Sequence, residues 1–198
     1  MGVSSPKGIL LCGPPGTGKT TLGDAICYEM GLPFKKIAGT EIISSMSGES
    51  ESNIRAIFEE AKQIAPSIIF IDEIDSIATK RQHASKEMEK RIVIQLISCL
   101  DSIKNENVFV IATTSNVDTL DNSLRRTGRF DKEFSLGVPN RQARLKILQK
   151  MSKKLNISFN VSLKEIARLT PGFVGADLSA LMKEAGMNAI RRIILIMK

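Results

Sequence analysis

The sequence predicts an α/β fold in three layers, with a parallel sheet between helices, followed by a small all-helical unit. Short apolar runs of strand type alternate with longer runs of helical periodicity. A glycine-rich segment, residues 13–20, stands between the first such strand and the first such helix. After Pro139 the strand pattern stops, and only apolar positions at helical spacing follow. We therefore expect two subdomains, residues 1–139 and 140–198.

The individual elements follow from the same pattern. The predicted strands lie near residues 8–12, 33–38, 67–72, 107–112 and 131–136. The helices between them lie near residues 19–31, 50–65 and 87–101. The second of these helices ends before Pro66, because proline interrupts a helix. The all-helical unit contains predicted helices near residues 141–154, 162–169 and 176–196.

The composition is typical of an intracellular globular chain. Of 198 residues 42% are hydrophobic, but no apolar run approaches the roughly 18 residues of a membrane span, and no signal peptide is recognisable. The cysteines, Cys12, Cys27 and Cys99, are isolated in sequence, so we expect core residues and neither a zinc site nor a disulfide framework. His83 lies in a polar stretch and is expected in a solvated loop.

The net charge of +7, from 28 Lys and Arg against 21 Asp and Glu, would suit a polyanionic neighbour such as RNA. The basic residues are spread along the chain rather than clustered, and the aromatic residues are only eight Phe and one Tyr. A platform that stacks nucleic-acid bases needs more aromatic side chains. We therefore expect no sequence-specific nucleic-acid partner.

The segment Gly-Pro-Pro-Gly-Thr-Gly-Lys-Thr at residues 13–20 has the spacing of a phosphate-binding loop. Its glycines let backbone N–H groups turn towards an anion, and the following helix adds its N-terminal dipole. Lys19 can reach the β- and γ-phosphates of a nucleotide, and the Thr20 hydroxyl can bind Mg²⁺. The candidate binding residues are Gly13, Pro14, Pro15, Gly16, Thr17, Gly18, Lys19, Thr20 and Thr21.

Asp72 and Glu73 follow the apolar run Ser67–Ile71. A buried parallel strand has such a run, and its carboxyl end lies at the edge where open α/β sheets bind ligands. Asp72 would hold Mg²⁺, partly through water, and Glu73 would orient or deprotonate the water that attacks the γ-phosphate. Asp-Glu after an apolar run is also common in solvated turns, but the phosphate loop upstream favours a nucleotide site.

Arg126 and Arg129 lie in the segment Leu124–Asp131, before the last predicted strand. Gly128 tightens this turn, and a guanidinium group offers a fixed fork of donors to phosphate oxygens. A subunit cannot easily turn this edge onto its own phosphate site, so we expect a site completed by a neighbouring subunit. The alternative is a basic cluster that is only solvated.

These segments, together with Gly172–Leu178, resemble the classical AAA ATPases over essentially the whole chain. The resemblance implies a P-loop NTPase fold, in which a large AAA subdomain is followed by a helical lid. It implies an ATPase that binds ATP or ADP with Mg²⁺ and is active mainly as a homo-oligomer, a hexameric ring. By the same resemblance Arg126 and Arg129 are arginine fingers that act in trans, and Gly175 and Ala176 lie against adenine and ribose.

Ala176 stands where many clamp loaders and initiators of the wider superfamily carry a sensor arginine, which points to the unfolding branch and against DNA loading. Three segments, residues 49–53, 84–93 and 169–178, look like the first ATPase domain of the nuclear valosin-containing-protein-like ATPases. Those two-ring enzymes release factors from maturing large ribosomal subunits, which implies pre-ribosomal particles as partners and a nuclear or nucleolar location. The valosin-containing protein itself and its archaeal relatives share much of this sequence, so a segregase or unfoldase domain in the cytoplasm is the alternative.

Two positions depart from the family pattern. The polar sensor Asn of the family falls on Ser115, with Asn116 next to it, so either side chain could contact the γ-phosphate and the attacking water. Met46 stands where many unfoldases place an aromatic residue that grips polypeptide in the ring pore. Met46 could contact a substrate strand, or it could be a core methionine in a short helix.

Family members usually have a linker and a helix before the first strand, and a fourth lid helix after the equivalent of Lys198. The resemblance therefore implies that the chain is one domain of a longer protein. Three function classes stay open: an ATP-hydrolysing ring subunit that remodels protein complexes, a largely structural nucleotide-binding ring module, and a motor acting on nucleic acid. Ala176 and the scarcity of aromatic residues disfavour the third class.

Overall fold

A computed structural model describes residues 6–44, 49–77, 86–153, 155–158 and 160–196. The chain divides into two compact units. The α/β unit contains the residues up to Gly13 together with Lys19–Leu136, and the helical unit contains Pro14–Gly18 together with the chain from Gly137 onwards. The predicted parallel α/β architecture followed by helices is confirmed. The subdomain boundary after residue 139 stays a prediction.

The strands of the α/β unit form one parallel sheet in the order β2-β3-β4-β1-β5. They are β1 (Gly8–Cys12), β2 (Phe34–Ala38), β3 (Ser67–Asp72), β4 (Val108–Thr114) and β5 (Phe130–Ser135). The helices of this unit are α1 (Lys19–Met30), α2 (Gly39–Ser44), α3 (Glu49–Gln63) and α4 (Lys86–Ser102). Short 3-10 turns, Ile74–Ser76 and Val117–Thr119, follow β3 and β4.

Two apolar cores lie on the two faces of the sheet. Ile69 and Ile71 of β3 belong to the larger core, and Ile68 and Phe70 belong to the smaller core, which also contains Cys27 of α1. Because side chains alternate along a strand and both faces are covered, β3 is apolar at successive positions. All three cysteines are buried and free, which confirms that they are core residues.

The predicted elements agree with the structure to within one or two residues at nearly every end. The sequence pattern missed α2, which is only six residues long, and both 3-10 turns. It also ended the fourth strand at residue 112, whereas β4 continues through Thr113 and Thr114. Both threonines are fully buried and hydrogen-bonded through their hydroxyls, so polar residues extend this strand without an energetic penalty.

The helical unit contains α5 (Arg141–Ser152), α6 (Leu163–Leu169) and α7 (Gly175–Ile196). Its core consists of Leu148, Ala167, Leu178 and Met182. The buried Arg144 guanidinium donates to the Pro139 carbonyl at 2.8 Å and to the Ala167 carbonyl, near the C-terminus of α6, at 2.9 Å. Within the described ranges, no helix combines the length and apolar character needed to cross a membrane.

Candidate functional site

The loop after β1 has a backbone conformation that requires glycine at three positions. Gly13, Gly16 and Gly18 have φ values of 145°, 76° and 97°, a region that other residues rarely adopt. A Cβ atom on Gly13 would also lie 2.1 Å from the Leu136 carbonyl oxygen. Helix α1 begins at Lys19, so its N-terminal N–H groups and dipole follow the loop directly.

Lys19 is almost completely buried, with 7% of its surface exposed. Its ammonium donates a hydrogen bond to the Gly13 carbonyl at 2.7 Å, which holds the charge over the start of the loop. Burial lowers the pKa of the Lys19 ammonium, and the negative charges of Asp75 and Asp72 act in the opposite direction. The Lys19 ammonium thus lies at the start of the loop, next to the Gly13 carbonyl.

The central part of the loop belongs to the helical unit and contacts the start of α7. The Ala176 N–H donates to the Gly16 carbonyl at 3.2 Å. A Cβ atom on Gly16 would lie 2.8 Å from side-chain atoms of both Val174 and Ala176, and one on Gly175 would lie 3.3 Å from the Gly16 carbonyl oxygen. The predicted site residues Gly175 and Ala176 thus lie beside Gly16 within the helical unit.

Asp72 lies at the carboxyl end of β3 and accepts two hydrogen bonds on the same oxygen. The Thr20 hydroxyl donates to Asp72 Oδ1 at 2.9 Å, and the Thr113 hydroxyl donates to it at 2.6 Å. In the described chain no cation is paired with this carboxylate. The predicted magnesium ligands Thr20 and Asp72 are therefore in hydrogen-bond contact.

Glu73 has a left-handed backbone, with φ 54° and ψ 51°, and it is the one non-glycine residue with positive φ among those described. Such a conformation costs about 1–2 kcal/mol for a residue with a Cβ atom. The Glu73 N–H donates to Thr113 Oγ1 at 2.9 Å, and the Glu73 carbonyl accepts from the Ser76 hydroxyl at 2.7 Å. These bonds hold the strained backbone, and the Glu73 side chain is exposed.

Ser115 and Asn116, the two candidate sensors, have different surroundings. The Asn116 side-chain oxygen accepts from the Asp118 N–H at 3.0 Å and caps the 3-10 turn after β4. The Ser115 N–H donates to Asp75 Oδ2 at 3.3 Å, whereas its hydroxyl makes no hydrogen bond with the described part of the chain. Ser115 is exposed just beyond the end of β4.

The two candidate finger arginines also differ. Arg129 is bound within its own chain, by two hydrogen bonds to the Asp101 carboxylate at 3.0 and 2.9 Å and a third to the Ser123 carbonyl. Arg126 is exposed, and its side chain has no hydrogen bond or ion pair to the residues that the structure describes. Of these two arginines, Arg126 is the one whose guanidinium group has no partner in the described part of the chain.

Pro14 and Pro15 are exposed, and the Thr17 hydroxyl donates to the Pro14 carbonyl at 2.8 Å. Thr21 is exposed on the first turn of α1. Met46 and His83 lie outside the described residues. Thr113 is the site residue that the sequence reasoning missed. The signal was available, because polar residues follow the apolar run of β4 as they do that of β3.

The donors at this edge fit Mg²⁺, because the Asp72 carboxylate and the Thr20 hydroxyl supply the oxygen ligands that this ion prefers. No cluster of three or more His, Cys, Asp or Glu side chains that could hold a metal occurs among the described residues. A Mg²⁺ ion at this edge would therefore take most of its ligands from phosphate oxygens and water, as is usual for this ion.

Comparison with protein-family models identifies the family of this chain. The model of the ATPase family associated with various cellular activities (AAA) matches residues 9–138. The chain belongs to the AAA ATPases. The AAA+ lid domain matches residues 160–197, in the helical unit of this AAA domain. The predicted family and P-loop NTPase fold are confirmed.

Curated relatives of this AAA domain include three similar proteins. It is 51% identical to the cell division cycle protein 48 homolog of Archaeoglobus fulgidus, over 98% of this chain and 27% of the relative. It is 50% identical to the nuclear valosin-containing protein-like of Mus musculus, over 98% of this chain and 23% of the relative. It is 49% identical to the ribosome biogenesis ATPase RIX7 of Saccharomyces cerevisiae, over 97% of this chain and 24% of the relative. The chain thus spans about a quarter of the length of these relatives.

Proposed function

We propose that this AAA domain binds ATP on the loop 13–20 and hydrolyses it. The observation that carries the proposal is a hydrogen-bonded chain that joins Thr20 to Asp72, Asp72 to Thr113, and Thr113 to Glu73. These hydrogen bonds link the first turn of α1 to both acids at the carboxyl end of β3. We further propose that residues 1–139 form the nucleotide-binding subdomain and residues 140–198 the lid.

In the proposed reaction each residue has one task. Thr20 and Asp72 would hold Mg²⁺, partly through water, and the ion when bound would neutralise charge on the β- and γ-phosphates. Glu73 accepts a proton from water while the water oxygen bonds to the γ-phosphorus and the bond from that phosphorus to the ADP oxygen breaks. Lys19 places its charge on the β/γ-phosphates. Gly175 and Ala176 lie against the ribose and adenine.

We assign the sensor role to Ser115 rather than Asn116. The Asn116 amide oxygen is already used in the cap of the 3-10 turn, whereas the Ser115 hydroxyl makes no bond with the described chain. Ser115 would then donate to the γ-phosphate or to the attacking water. This assignment is tested by Ser115→Ala, which should lower turnover while Asn116→Ala lowers mainly stability, through loss of a cap worth about 1 kcal/mol.

We propose that the domain acts in a homo-oligomeric ring, a hexamer, in which Arg126 of one subunit contacts the ATP of the next. Arg126 is exposed and makes no hydrogen bond or ion pair with the described residues, which supports this assignment. Arg129 would have to break its bonds to Asp101 before it could act as a second finger, and in the present arrangement it fixes the turn that carries Arg126.

The ring would remodel protein complexes, with Met46 as the candidate contact to polypeptide in the pore. The names of two relatives, nuclear valosin-containing protein-like and ribosome biogenesis ATPase RIX7, support a nuclear location and a role in ribosome biogenesis. Within that role we propose release of factors from maturing large ribosomal subunits. The comparable similarity to a cell division cycle protein 48 homolog leaves an alternative open, a segregase or unfoldase of the valosin-containing-protein type.

The test of nucleotide binding uses Lys19→Met in the full-length protein, because methionine keeps the buried aliphatic stem and removes the charge. We expect loss of ATP binding by calorimetry, with the melting temperature nearly unchanged. Lys35→Met is the matched control, since Lys35 lies on the edge strand β2 and pairs with Glu60. Equal ATP affinity in parent and Lys19→Met would refute the phosphate-loop assignment. ATP binding by the assembled parent without turnover would favour a structural module instead.

A further inference from the structure

Thr113 is the buried hydroxyl that lies between the two acids of the site. It is the penultimate residue of β4, which pairs with β3 in the register that places Ile71 opposite Ala112, so Thr113 lies beside Asp72. Only 1% of Thr113 is exposed. A hydroxyl buried to this extent must be hydrogen-bonded, and both of its bonds go to the residues that follow the apolar part of β3.

The direction of both bonds is fixed by the chemistry of the partners. The Glu73 backbone N–H can only donate, so at 2.9 Å it uses a lone pair of Thr113 Oγ1. The ionised Asp72 carboxylate can only accept, so the Thr113 proton points to Asp72 Oδ1, at 2.6 Å. One hydroxyl thus orients a side chain and a neighbouring backbone group at the same time.

This arrangement determines which oxygen of Asp72 is free. Thr113 and Thr20 both donate to Oδ1, which uses the two lone pairs of that oxygen and leaves Oδ2 for a cation or its water. Thr20 can keep its proton on Asp72 while its own oxygen binds Mg²⁺. Without the Thr113 bond, the Asp72 carboxylate could rotate away from this orientation.

The same hydroxyl braces the strained backbone of Glu73. The left-handed conformation at Glu73 persists only where the surroundings hold it. Ser76 holds the carbonyl side through its hydroxyl and its N–H, and Thr113 holds the N–H side. Because Thr113 touches both acids, any change in its position moves the metal ligand and the base together.

We propose that Thr113 is a positioning residue that couples the orientation of Asp72 towards Mg²⁺ to the placement of Glu73 towards the attacking water. This inference rests on the proposed ATPase function and goes beyond it. It gives the Thr113 hydroxyl a role beyond that of a hydroxyl that only forms hydrogen bonds within a buried strand. Removal of such a neighbour of a metal ligand typically lowers metal affinity or activity by about 10- to 100-fold.

The experiment compares Thr113→Val, which has nearly the same shape but no hydroxyl, with Thr113→Ser, which keeps the hydroxyl, in the full-length protein. Affinity for a fluorescent ATP analogue is measured with Mg²⁺ and with EDTA, and turnover is measured against Mg²⁺ concentration. We expect Thr113→Val to bind the ATP analogue in EDTA with the parent affinity. Its Mg²⁺ affinity and its kcat should be about 10- to 100-fold lower than those of the parent. Thr113→Ser should retain most of the parent Mg²⁺ affinity and kcat. Thr113→Ala replaces the valine variant if that variant does not fold.

Thr170→Val is the matched control, because Thr170 is also buried and its hydroxyl donates only to the Ile166 carbonyl, at 2.9 Å. The Thr170→Val variant should have a lower melting temperature than the parent but the same dependence of turnover on Mg²⁺ concentration. Parent-like Mg²⁺ dependence and kcat in Thr113→Val, or equal impairment in Thr113→Ser and Thr113→Val, would overturn the proposal. Failure of the ATPase assignment would be visible separately, as an assembled parent protein that shows no ATP turnover.

Discussion

Asp72 and Asp101 are two aspartates of the α/β unit with opposite surroundings. Asp101, in the last turn of α4, is bound by the Arg129 guanidinium through two hydrogen bonds and by the Lys104 ammonium at 2.9 Å. Asp72, at the end of β3, receives only the neutral hydroxyls of Thr20 and Thr113 in the described chain. Asp101 is therefore paired with cations of the protein, whereas Asp72 forms no ion pair with the described residues.

The difference shows how one side-chain type serves two purposes. A carboxylate surrounded by cations forms strong charge-assisted bonds and anchors a turn. A carboxylate that is oriented by hydroxyls keeps its direction without losing its charge, which is what a magnesium ligand needs. The same contrast separates Arg129, the partner of Asp101, from Arg126, which stays exposed.

The largest expected effect concerns Arg126. In the assembled full-length protein, Arg126→Ala should lower turnover by about 10³–10⁵-fold, the range for an arginine finger, with little change in melting temperature. Arg129→Ala should lower the melting temperature as well, because it removes the anchor to Asp101. Equal losses of stability in both variants would contradict the conclusion that Arg129 anchors this turn and Arg126 does not.

A mixing experiment tests the trans arrangement directly. Subunits with Arg126→Ala and subunits with Glu73→Gln should regain some turnover when they assemble together, because one interface then contains an intact base and an intact finger. If both variants co-assemble and turnover does not return, Arg126 does not act on a neighbour's ATP.

The next effect concerns Glu73. Glu73→Gln should lower turnover by about 10²–10⁴-fold and keep ATP binding, because only the proton acceptor is lost. Single-turnover measurements and nucleotide binding on the same sample separate these two quantities. Glu41→Gln, on α2, is the control and should retain parent turnover. Turnover at the parent rate in Glu73→Gln would show that another group accepts the proton.

The Asp101 cluster should be visible in stability rather than in chemistry. Asp101→Asn should lower the free energy of unfolding by about 1 kcal/mol, since bonds to charged groups contribute more but Asp101 is 38% exposed and partly screened. Glu60→Gln, in the exposed pair with Lys35, should cost at most about 0.5 kcal/mol. Chemical denaturation of the three proteins measures the difference.

The pH dependence of that difference has a defined sign. Hydrogen bonds from Arg129 and Lys104 lower the pKa of the Asp101 carboxyl from 3.8 to about 2. Because the pKa is lower in the folded state, the stabilisation is complete above about pH 4 and is lost as the pH falls towards 2. The parent and Asp101→Asn should therefore converge in stability over this interval, and a constant difference down to pH 2 would contradict the assignment.

The smallest expected effect concerns the strain at Glu73. Glu73→Gly should raise the free energy of unfolding by about 1 kcal/mol, because glycine adopts the left-handed conformation without steric cost, while turnover is lost. Glu106→Gly is the control, since Glu106 is an exposed turn residue whose φ is not positive, and glycine should not stabilise it. A gain in stability at both positions, or at neither, would remove strain as the explanation.

Much of the fold and the phosphate loop could be predicted from the sequence. The strands and helices were predicted because their apolar periodicity is local, and β3 had a continuous apolar run because both of its faces are covered. The loop was predicted because its glycines and Lys19 are adjacent in the chain and their φ requirements are local. The roles of the site residues themselves stay predictions for the experiments above.

Other features depended on the tertiary structure. Thr113 is far from Asp72 and Glu73 in the sequence and meets them only through the register of β4 on β3. The difference between Arg126 and Arg129 depends on Asp101, which α4 supplies, and the difference between Ser115 and Asn116 depends on a cap formed after the strand ends. Periodicity in the sequence determines which residues face a core. Tertiary packing determines which residues become neighbours across strands. This packing therefore decided that Arg129 and Asn116 are hydrogen-bonded within the described chain, whereas the side chains of Arg126 and Ser115 are not.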